Sequence, residues 1–116
     1  MTEQTKKTHS WKPQKPSLRD SRDRTSETAR VTAIVSGRVQ GVFFRMHAKQ
    51  KADTLGLLGC VENMQDGTVR VIAEGKDGDV RLFLKGLARG SKFAKVETFE
   101  VHWEKMQGTF SDFSIR

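Results

Sequence analysis

The sequence predicts an α+β fold in which two helices cover one face of an antiparallel sheet, in the order β-α-β-β-α-β. Two segments carry apolar residues at helical spacing, and the segments around them alternate between apolar and polar residues. An Asp-Gly pair, which is a strong signal for a tight hairpin, stands between the second and third alternating segments. Large apolar residues are scarce before residue 29, so residues 29–116 are expected to form the folded domain.

The first strand and the first helix are separated by a short loop between two glycines. Residues 30–36 are rich in β-branched residues and end at Gly37, which favours a strand that stops in a turn. A helix is predicted after Gly41 because apolar residues recur at helical spacing, and Gly56 predicts its C-terminal end. Its buried stripe is expected to consist of Phe44, Ala48, Ala52 and Leu55.

The hairpin and the second helix come next in the chain. Residues 57–64 and 68–74 are predicted to be strands joined by a turn at residues 65–67. In the second of these strands, Glu74 falls on the polar side of the alternation. Residues 77–88 are predicted to form the second helix. Its buried stripe is expected to consist of Val80, Phe83, Leu84 and Leu87.

The C-terminal part of the chain predicts one long strand and a short closing one. Phe99, Val101 and Trp103 are expected to share one face of the long strand, while Glu100, His102 and Glu104 face the other way. The closing strand is expected to contain Phe110, Phe113 and Ile115. This order of elements is the split βαβ plan of the ferredoxin-like sandwich.

Residues 1–28 are expected to form a flexible basic extension. They contain both prolines of the protein and only three large apolar side chains, Met1, Trp11 and Leu18. Such a composition buries too little surface to offset the entropy of ordering the chain. Residues 1–30 also carry eight Lys/Arg and four Asp/Glu, which is more than half of the net charge of +7. An arm that binds nucleic acid or a membrane surface is the functional alternative for this segment.

Composition excludes several classes of protein. No apolar run approaches the roughly 18 residues of a membrane span, and the N-terminus lacks the apolar core of a secretory signal, so a cytoplasmic location is expected. Cys60 is the only cysteine, which excludes an intrachain disulfide and a multi-cysteine metal site. The mildly positive folded part suits an anionic small molecule as well as a polyanion.

The segment SGRVQGVFFR, residues 36–45, is the strongest candidate for a functional site. A strand runs into a loop bounded by Gly37 and Gly41 and then into a helix. Glycines let the backbone approach a ligand, and the amides of such a loop and of the helix start favour an anion. Arg45 falls in the first turn, where its guanidinium can fork onto two phosphate oxygens. From the spacing alone, a tight turn followed by a surface arginine explains the pattern equally well.

Two stretches of the sequence resemble the signatures of the acylphosphatase family. GRVQGVFFR is similar to the first, and GLLGCVENMQDGTVRVIAEG is similar to the second, including its Gly-x-Val-x-Asn core at residues 59–63. Residues 113–116 also resemble the C-terminal strand of the family. The resemblance spans residues 29–116. It implies a βαββαβ enzyme that hydrolyses the carboxyl–phosphate bond of acyl phosphates to a carboxylate and inorganic phosphate.

The resemblance also implies roles for individual residues. Arg45 would bind the phosphate and Asn63 would orient the attacking water. The main chain of six residues would cradle the phosphoryl group: Gly37, Arg38, Val39, Gln40, Gly41 and Val42. Two positions depart from the family pattern. Cys60 replaces a usual aromatic residue, which should affect packing, and the charge of Glu62, beside Asn63, is expected to lower the local affinity for an anion.

The predicted topology brings Arg45 and Asn63 together. If the first strand pairs antiparallel with the third, the turn at residues 65–67 lies at the same end of the sheet as the loop at residues 37–42. An acyl phosphate releases a carboxylate whose conjugate acid has a pKa of about 4–5, so the reaction needs no general acid. Positioning and electrostatics can then carry the catalysis, with a phosphoryl oxygen accepting the proton. We therefore expect no metal site, no cofactor and no covalent intermediate.

Other reactive or aromatic residues near the motifs are expected to be structural. His47 is two residues past Arg45 on the helix, so the two side chains should not share a face. Cys60 is expected to be a small packed side chain rather than a nucleophile. Phe43 and Phe44 are expected to pack in the core, with contact to the substrate's acyl group as the alternative for Phe43.

Two non-enzymatic functions share this predicted fold. RNA-recognition domains stack bases on aromatic residues of their central strands, but the first and third predicted strands here contain no aromatic residue. A ferredoxin-like module that binds a phosphorylated ligand without hydrolysing it is the other alternative. The enzyme is favoured over both. As an enzyme it is expected to act as a monomer on a small acyl phosphate, with no nucleic acid or membrane partner.

Overall fold

The computed structural model of the protein describes residues 27–116, and its elements follow the predicted order. They are β1 (Thr28–Arg38), α1 (Phe44–Leu55), β2 (Leu58–Asn63), β3 (Val69–Lys76), α2 (Asp77–Arg89), β4 (Lys95–Glu104) and β5 (Phe113–Ile115). The extension predicted for residues 1–28 lies almost wholly outside the described residues and stays a prediction. No helix within the described part of the chain is long and apolar enough to cross a bilayer.

The five strands form one sheet in the order β4-β1-β3-β2-β5. The predicted antiparallel pairing of the first and third strands is confirmed, with Val35 opposite Val69. The closing strand pairs parallel with β2, so the sheet is mixed rather than wholly antiparallel. This pairing arises because the connection at residues 105–112 reverses the chain after β4 and carries it to the far edge of the sheet.

Both helices lie on one face of the sheet and enclose the core. The predicted stripe of α2 is confirmed, since its four apolar side chains are fully buried. In α1 the stripe consists of Phe44, Ala48 and Ala52, while Leu55 is only partly buried. Phe83 of α2 meets Phe113 of β5 edge to face, with ring centroids 5.8 Å apart. The short closing strand is therefore tied to the core by one aromatic side chain, whose full burial is worth roughly 2–3 kcal/mol.

The apolar side of β4 is fully buried only at Phe99, in the middle of the strand. The three apolar residues share the face covered by the helices, as predicted: Phe99 lies in the core, Val101 is partly buried and Trp103 is 40% exposed. The indole of Trp103 instead lies under the Arg81 guanidinium of α2, 4.8 Å from Cζ to the ring centroid. Strand alternation assigned the correct face, but this part of β4 is covered by a charged side chain rather than by the apolar stripe of α2.

The other face of the sheet holds a buried carboxylate. Glu74 lies opposite the apolar face of β3, as the alternation predicted, and its side chain has no exposed surface. Arg30 Nη1 donates to it at 2.8 Å, and the amides of Gln107 and Gly108 donate at 2.9 and 3.1 Å. Glu74 therefore holds the connection between β4 and β5 against the open face of the sheet. The Arg30 guanidinium also lies 5.6 Å from the Phe110 ring of that connection.

The pKa of Glu74 reflects these contacts. Burial of the carboxylate by itself raises its pKa, but the hydrogen bonds from the Gln107 amide, the Arg30 guanidinium and the Gly108 amide outweigh burial and hold the pKa below its ordinary value. A lowered pKa in the folded state means that ionised Glu74 stabilises the fold above the ordinary carboxyl pKa of about 4.3. That contribution is lost as the pH falls through the lowered value.

Substitution of Glu74 should therefore destabilise the protein and change its response to acid. Glu74→Gln is expected to lower the free energy of unfolding by about 2 kcal/mol at pH 7, because one side of a charged hydrogen-bond network is lost. The difference from wild type should shrink below pH 4. Urea unfolding at pH 7 and pH 3.5 measures both effects, with Glu97→Gln on exposed β4 as the control. Equal losses for the two variants at pH 7 would contradict the role of Glu74.

Candidate active site

The loop between β1 and α1 is shaped by its two glycines and by Val39. Gly37 and Gly41 have positive φ angles of 121° and 74°, and a Cβ atom on Gly37 would overlap the Lys95 carbonyl of β4. The Val39 amide donates to the Gly37 carbonyl at 3.1 Å, and the Val39 side chain is buried in the core. Val39 therefore anchors the loop through its buried side chain, and its amide is already bonded within the loop. The Ser91 hydroxyl supports the far end by donating to the Val42 carbonyl at 3.0 Å.

The remaining amides of this loop are available to an anion. Within residues 27–116, no carbonyl accepts a hydrogen bond from the amides of Gln40, Gly41 or Val42. The helix that follows has no side-chain cap and no acidic residue in its first turn. A helix start without these features keeps its unpaired donors and the positive end of its dipole open to a ligand.

Phe43 stands at the N-cap position of α1 in a strained conformation. Its φ and ψ are 64° and 21°, and it is the one non-glycine residue with positive φ in the described part of the chain. This conformation costs about 1–2 kcal/mol for a residue with a side chain. The phenyl ring is 70% exposed, so the prediction that Phe43 packs in the core was wrong, whereas Phe44 is buried there as predicted. The left-handed turn at Phe43 directs the two adjacent rings to different environments.

Arg45 lies in the first turn of α1, as predicted, and is held by the end of the sheet. Its Nη1 atom donates to the main-chain oxygen of Arg116 at 2.7 Å. The Arg116 amide in turn donates to the Val61 carbonyl of β2 at 2.8 Å. The guanidinium is therefore oriented by a residue that follows β5. Sequence reasoning missed this contact because the two residues are 71 positions apart and the acceptor is a main-chain atom.

A side chain of the loop joins it to the hairpin that carries Asn63. Gln40 Nε2 donates to the carbonyls of Met64 and Thr68, at 2.8 and 2.9 Å. These two residues flank the turn between β2 and β3, and the Met64 amide also donates to the Thr68 carbonyl. The sequence predicted a role only for the main chain of Gln40. Its carboxamide is the structural link between the loop and the hairpin.

Asn63 is the last residue of β2 and lies at the same end of the sheet as the loop. It pairs with Val69 of β3, and Val69 pairs with Val35 of β1. The Asn63 side chain is exposed, and its carboxamide has no hydrogen-bond partner in the part of the chain that the structure describes. The predicted topology therefore brings Asn63 and the loop that precedes Arg45 to one end of the sheet. An exposed carboxamide without a protein partner can bind and orient water.

The turn after Asn63 is stabilised by Asp66. Its carboxylate accepts hydrogen bonds from the Thr68 hydroxyl at 2.6 Å and from the Thr68 amide at 3.0 Å, and these bonds lower the pKa of Asp66. Gly67 takes a positive φ of 92° within the turn. The Asp-Gly signal of the sequence therefore identified the turn correctly.

The two departures from the family pattern lie on the open face of the sheet. Glu62 Oε2 accepts a hydrogen bond from Arg70 Nη2 at 2.9 Å, and the two residues are direct cross-strand neighbours. Because its charge is paired, Glu62 should repel an anion less than the sequence alone suggested. Cys60 is a packed side chain, as predicted: it is buried, and burial raises the pKa of its thiol, which disfavours the thiolate.

The remaining candidates for acid–base or metal chemistry are not assembled at this site. Burial lowers the pKa of His47, and the main chain of Gly86 in α2 partly opposes this shift. His47 thus faces the second helix rather than Arg45, as the helical spacing predicted. Among residues 27–116, no three His, Cys, Asp or Glu side chains form a group that could hold a metal ion.

Comparison with known proteins identifies the family. The acylphosphatase family model matches residues 31–115. An acylphosphatase of Methanococcoides burtonii is 40% identical over 92 residues, covering 79% of this chain and 96% of that protein. One of Thermus thermophilus is 48% identical over 79 residues, covering 68% and 90%. The crystal structure of acylphosphatase from Bacillus subtilis matches with a TM-score of 0.74 at 36% identity, covering 76% and 98%. As its two motifs predicted, the chain belongs to the acylphosphatase family.

Proposed function

We propose that this acylphosphatase holds the phosphoryl group of its substrate between the amides of residues 40–42 and the Arg45 guanidinium, while Asn63 orients the attacking water. The reaction is hydrolysis of the carboxyl–phosphate bond of an acyl phosphate, which gives a carboxylate and inorganic phosphate. One observation carries the proposal. The uncapped start of α1, with its unpaired loop amides, lies beside Arg45 and at the same end of the sheet as Asn63.

Binding of the phosphoryl dianion follows from the charges and donors of the loop. The positive end of the α1 dipole and the three amides stabilise negative charge at short range. The guanidinium adds a full positive charge and parallel donors that match two phosphoryl oxygens. Because Nη1 of Arg45 is already bonded to the Arg116 oxygen, the side chain is oriented before the substrate arrives. Gly37 and Val39 act by shaping the loop, and Arg38 ends the strand that leads into it.

The chemical step requires little more than positioning. Asn63 cannot act as a base at neutral pH, but its carboxamide can hold a water molecule in line with the bond that breaks. The water oxygen bonds to phosphorus, and the electron pair of the phosphorus–oxygen bond leaves with the carboxylate. A phosphoryl oxygen of the substrate accepts the proton of the water. The carboxylate leaves without protonation because its conjugate acid is as strong as a side-chain carboxyl. This mechanism uses no cofactor, metal ion or covalent intermediate.

We also propose that the domain predicted at residues 29–116, extended by Glu27 and Thr28, acts as a self-sufficient monomer in the cytoplasm. All groups assigned to the site come from one chain, and they lie between residues 37 and 116. The two non-enzymatic alternatives are not favoured, because the family and its solved structures are those of an enzyme. Nucleic-acid binding is also disfavoured because β1 and β3 contain no aromatic residue for base stacking.

Loss of the guanidinium should abolish binding and turnover together. Arg45→Gln is expected to lower kcat/KM for benzoyl phosphate by about 10²–10³-fold and to remove competitive inhibition by phosphate, because the charge clamp on the phosphoryl group is lost. Phosphate release in the presence of EDTA measures the activity. Thermal unfolding of the variant separates this effect from loss of the Arg116 contact. Near wild-type activity in a folded Arg45→Gln protein would refute the assignment.

Removal of the carboxamide should affect turnover but not phosphate binding. Asn63→Ala is expected to lower kcat by about 10²-fold, since water is no longer oriented, while the inhibition constant of phosphate changes less than about threefold. Gln65→Ala, at an exposed position of the adjacent turn, serves as the matched control and should leave both constants unchanged. If Asn63→Ala retained full kcat, or lost phosphate binding in parallel, the water-orienting role would be wrong.

Truncation tests the boundary of the domain. A protein that begins at residue 27 should keep kcat/KM within about twofold of the full chain, because no group assigned to the site precedes Gly37. The cut should not extend further, since the Glu27 carbonyl accepts a hydrogen bond from the Asp77 amide at 2.8 Å and supports the start of α2. Steady-state kinetics of the two forms measures the effect. A tenfold loss on truncation would assign the extension a part in hydrolysis.

A further inference from the structure

A cleft of about 280 Å³ opens beside the first turn of α1. One wall is formed by the loop and the helix start, and the other by the end of β5. Residues that line it include Gly41, Phe43, Arg45, Met46 and Ile115. The cleft is therefore continuous with the site proposed for the phosphoryl group. Any group attached to a phosphoryl held by Arg45 must leave the loop next to this cleft.

The lining of this cleft is apolar and exposed. Phe43 is 70% exposed and Met46 is 50% exposed, and Ile115 adds a third large apolar side chain. Arg45 is the one charged residue of the lining. Three exposed apolar side chains around a single guanidinium form a surface that favours an apolar group carried by an anion.

The backbone of Phe43 is a second and independent observation. Its left-handed conformation is unfavourable for a phenylalanine, and the exposed ring gains no core packing in return. Asparagine or glycine would occupy this position with less strain. Strained conformations in folded proteins concentrate at ligand-binding sites. The phenyl ring therefore lies exposed beside the cleft, and the strained backbone that holds it there lowers the free energy of unfolding.

We propose that this cleft binds the acyl group of the substrate and selects apolar acyl groups, about the size of a benzoyl group, over small or charged ones. This inference rests on the proposed function, since the phosphoryl group must lie at Arg45 for the acyl group to reach Phe43 and Met46. The volume is slightly below the roughly 300 Å³ at which pockets for drug-sized ligands begin, which suits a small acyl group. An aromatic acyl group can stack on the Phe43 ring.

The proposal is tested by the ratio of kcat/KM for benzoyl phosphate to that for acetyl phosphate. Phe43→Gly removes the ring, accepts the left-handed backbone and adds no side chain that could cap the helix, and it should lower the ratio about tenfold. Met46→Ala should lower the ratio about threefold. These losses correspond to the apolar surface that an aromatic acyl group buries against each side chain. Comparing the ratio within each protein cancels effects common to the two substrates, such as partial unfolding.

Leu82→Ala provides the matched control for Met46→Ala. Leu82 is an apolar residue on the other helix with a similar exposure of 54%, and it lines a separate depression with His47 and Lys51. The control should leave the ratio unchanged. An unchanged ratio in Phe43→Gly, which includes an equal loss of activity on both substrates, would overturn the proposal.

Failure of this proposal can be distinguished from failure of the proposed function. If Arg45→Gln abolishes hydrolysis of both substrates but Phe43→Gly and Met46→Ala leave the ratio unchanged, the phosphoryl site stands and the acyl cleft is rejected. If Arg45→Gln retains hydrolysis of both substrates, the phosphoryl site itself is wrong and the acyl proposal falls with it.

Discussion

The candidate site depends on the contact between the Gln40 carboxamide and the two carbonyls that flank the β2–β3 turn. Antiparallel pairing of β1 with β3 brings the β1–α1 loop and the β2–β3 turn to one end of the sheet. Strand pairing alone, however, leaves both connections able to move. Gln40 donates to Met64 and Thr68 and so fixes one connection against the other. The Gln40 side chain therefore couples the position of the Arg45 guanidinium, which follows the loop, to that of the Asn63 carboxamide, which precedes the turn. Relative placement of catalytic groups to within a fraction of an ångström needs such support.

The start of α1 shows how binding capacity and stability oppose each other in this loop. A capping side chain at the position of Phe43 would satisfy an amide and stabilise the helix by about 1 kcal/mol, but it would occupy a donor that an anion could use. The protein instead has an uncapped helix, a phenylalanine with positive φ and no acidic residue in the first turn. Core packing of Phe44 and Val39 on either side compensates for this local instability. The loop is therefore held by its buried apolar residues and leaves its polar groups to the ligand.

Local patterns in the sequence predicted those features that depend on neighbouring residues. The apolar stripe of α2, the Asp66-Gly67 turn and the position of Arg45 in a first helical turn all follow from spacing and turn chemistry. The features that the sequence did not predict depend on partners distant in the chain. Glu74 is buried because Arg30 and the amides of residues 107–108 meet it. Neither alternation nor propensity specifies such contacts, and the same holds for the Arg116 oxygen that orients Arg45 and for the parallel pairing of β5.

The chemistry of acyl phosphates assigns different kinetic roles to the two parts of the site. Negative charge on the phosphoryl oxygens and the leaving carboxylate changes as the bond breaks, so the loop amides and Arg45 can bind the transition state more tightly than the substrate and raise kcat. The apolar wall formed by Phe43 and Met46 meets an acyl group whose shape hardly changes during the reaction. Its contacts are nearly equal in the two states and therefore lower KM without raising kcat. A change at either of these two positions of this chain would therefore act on its substrate preference and leave the chemical step unaltered.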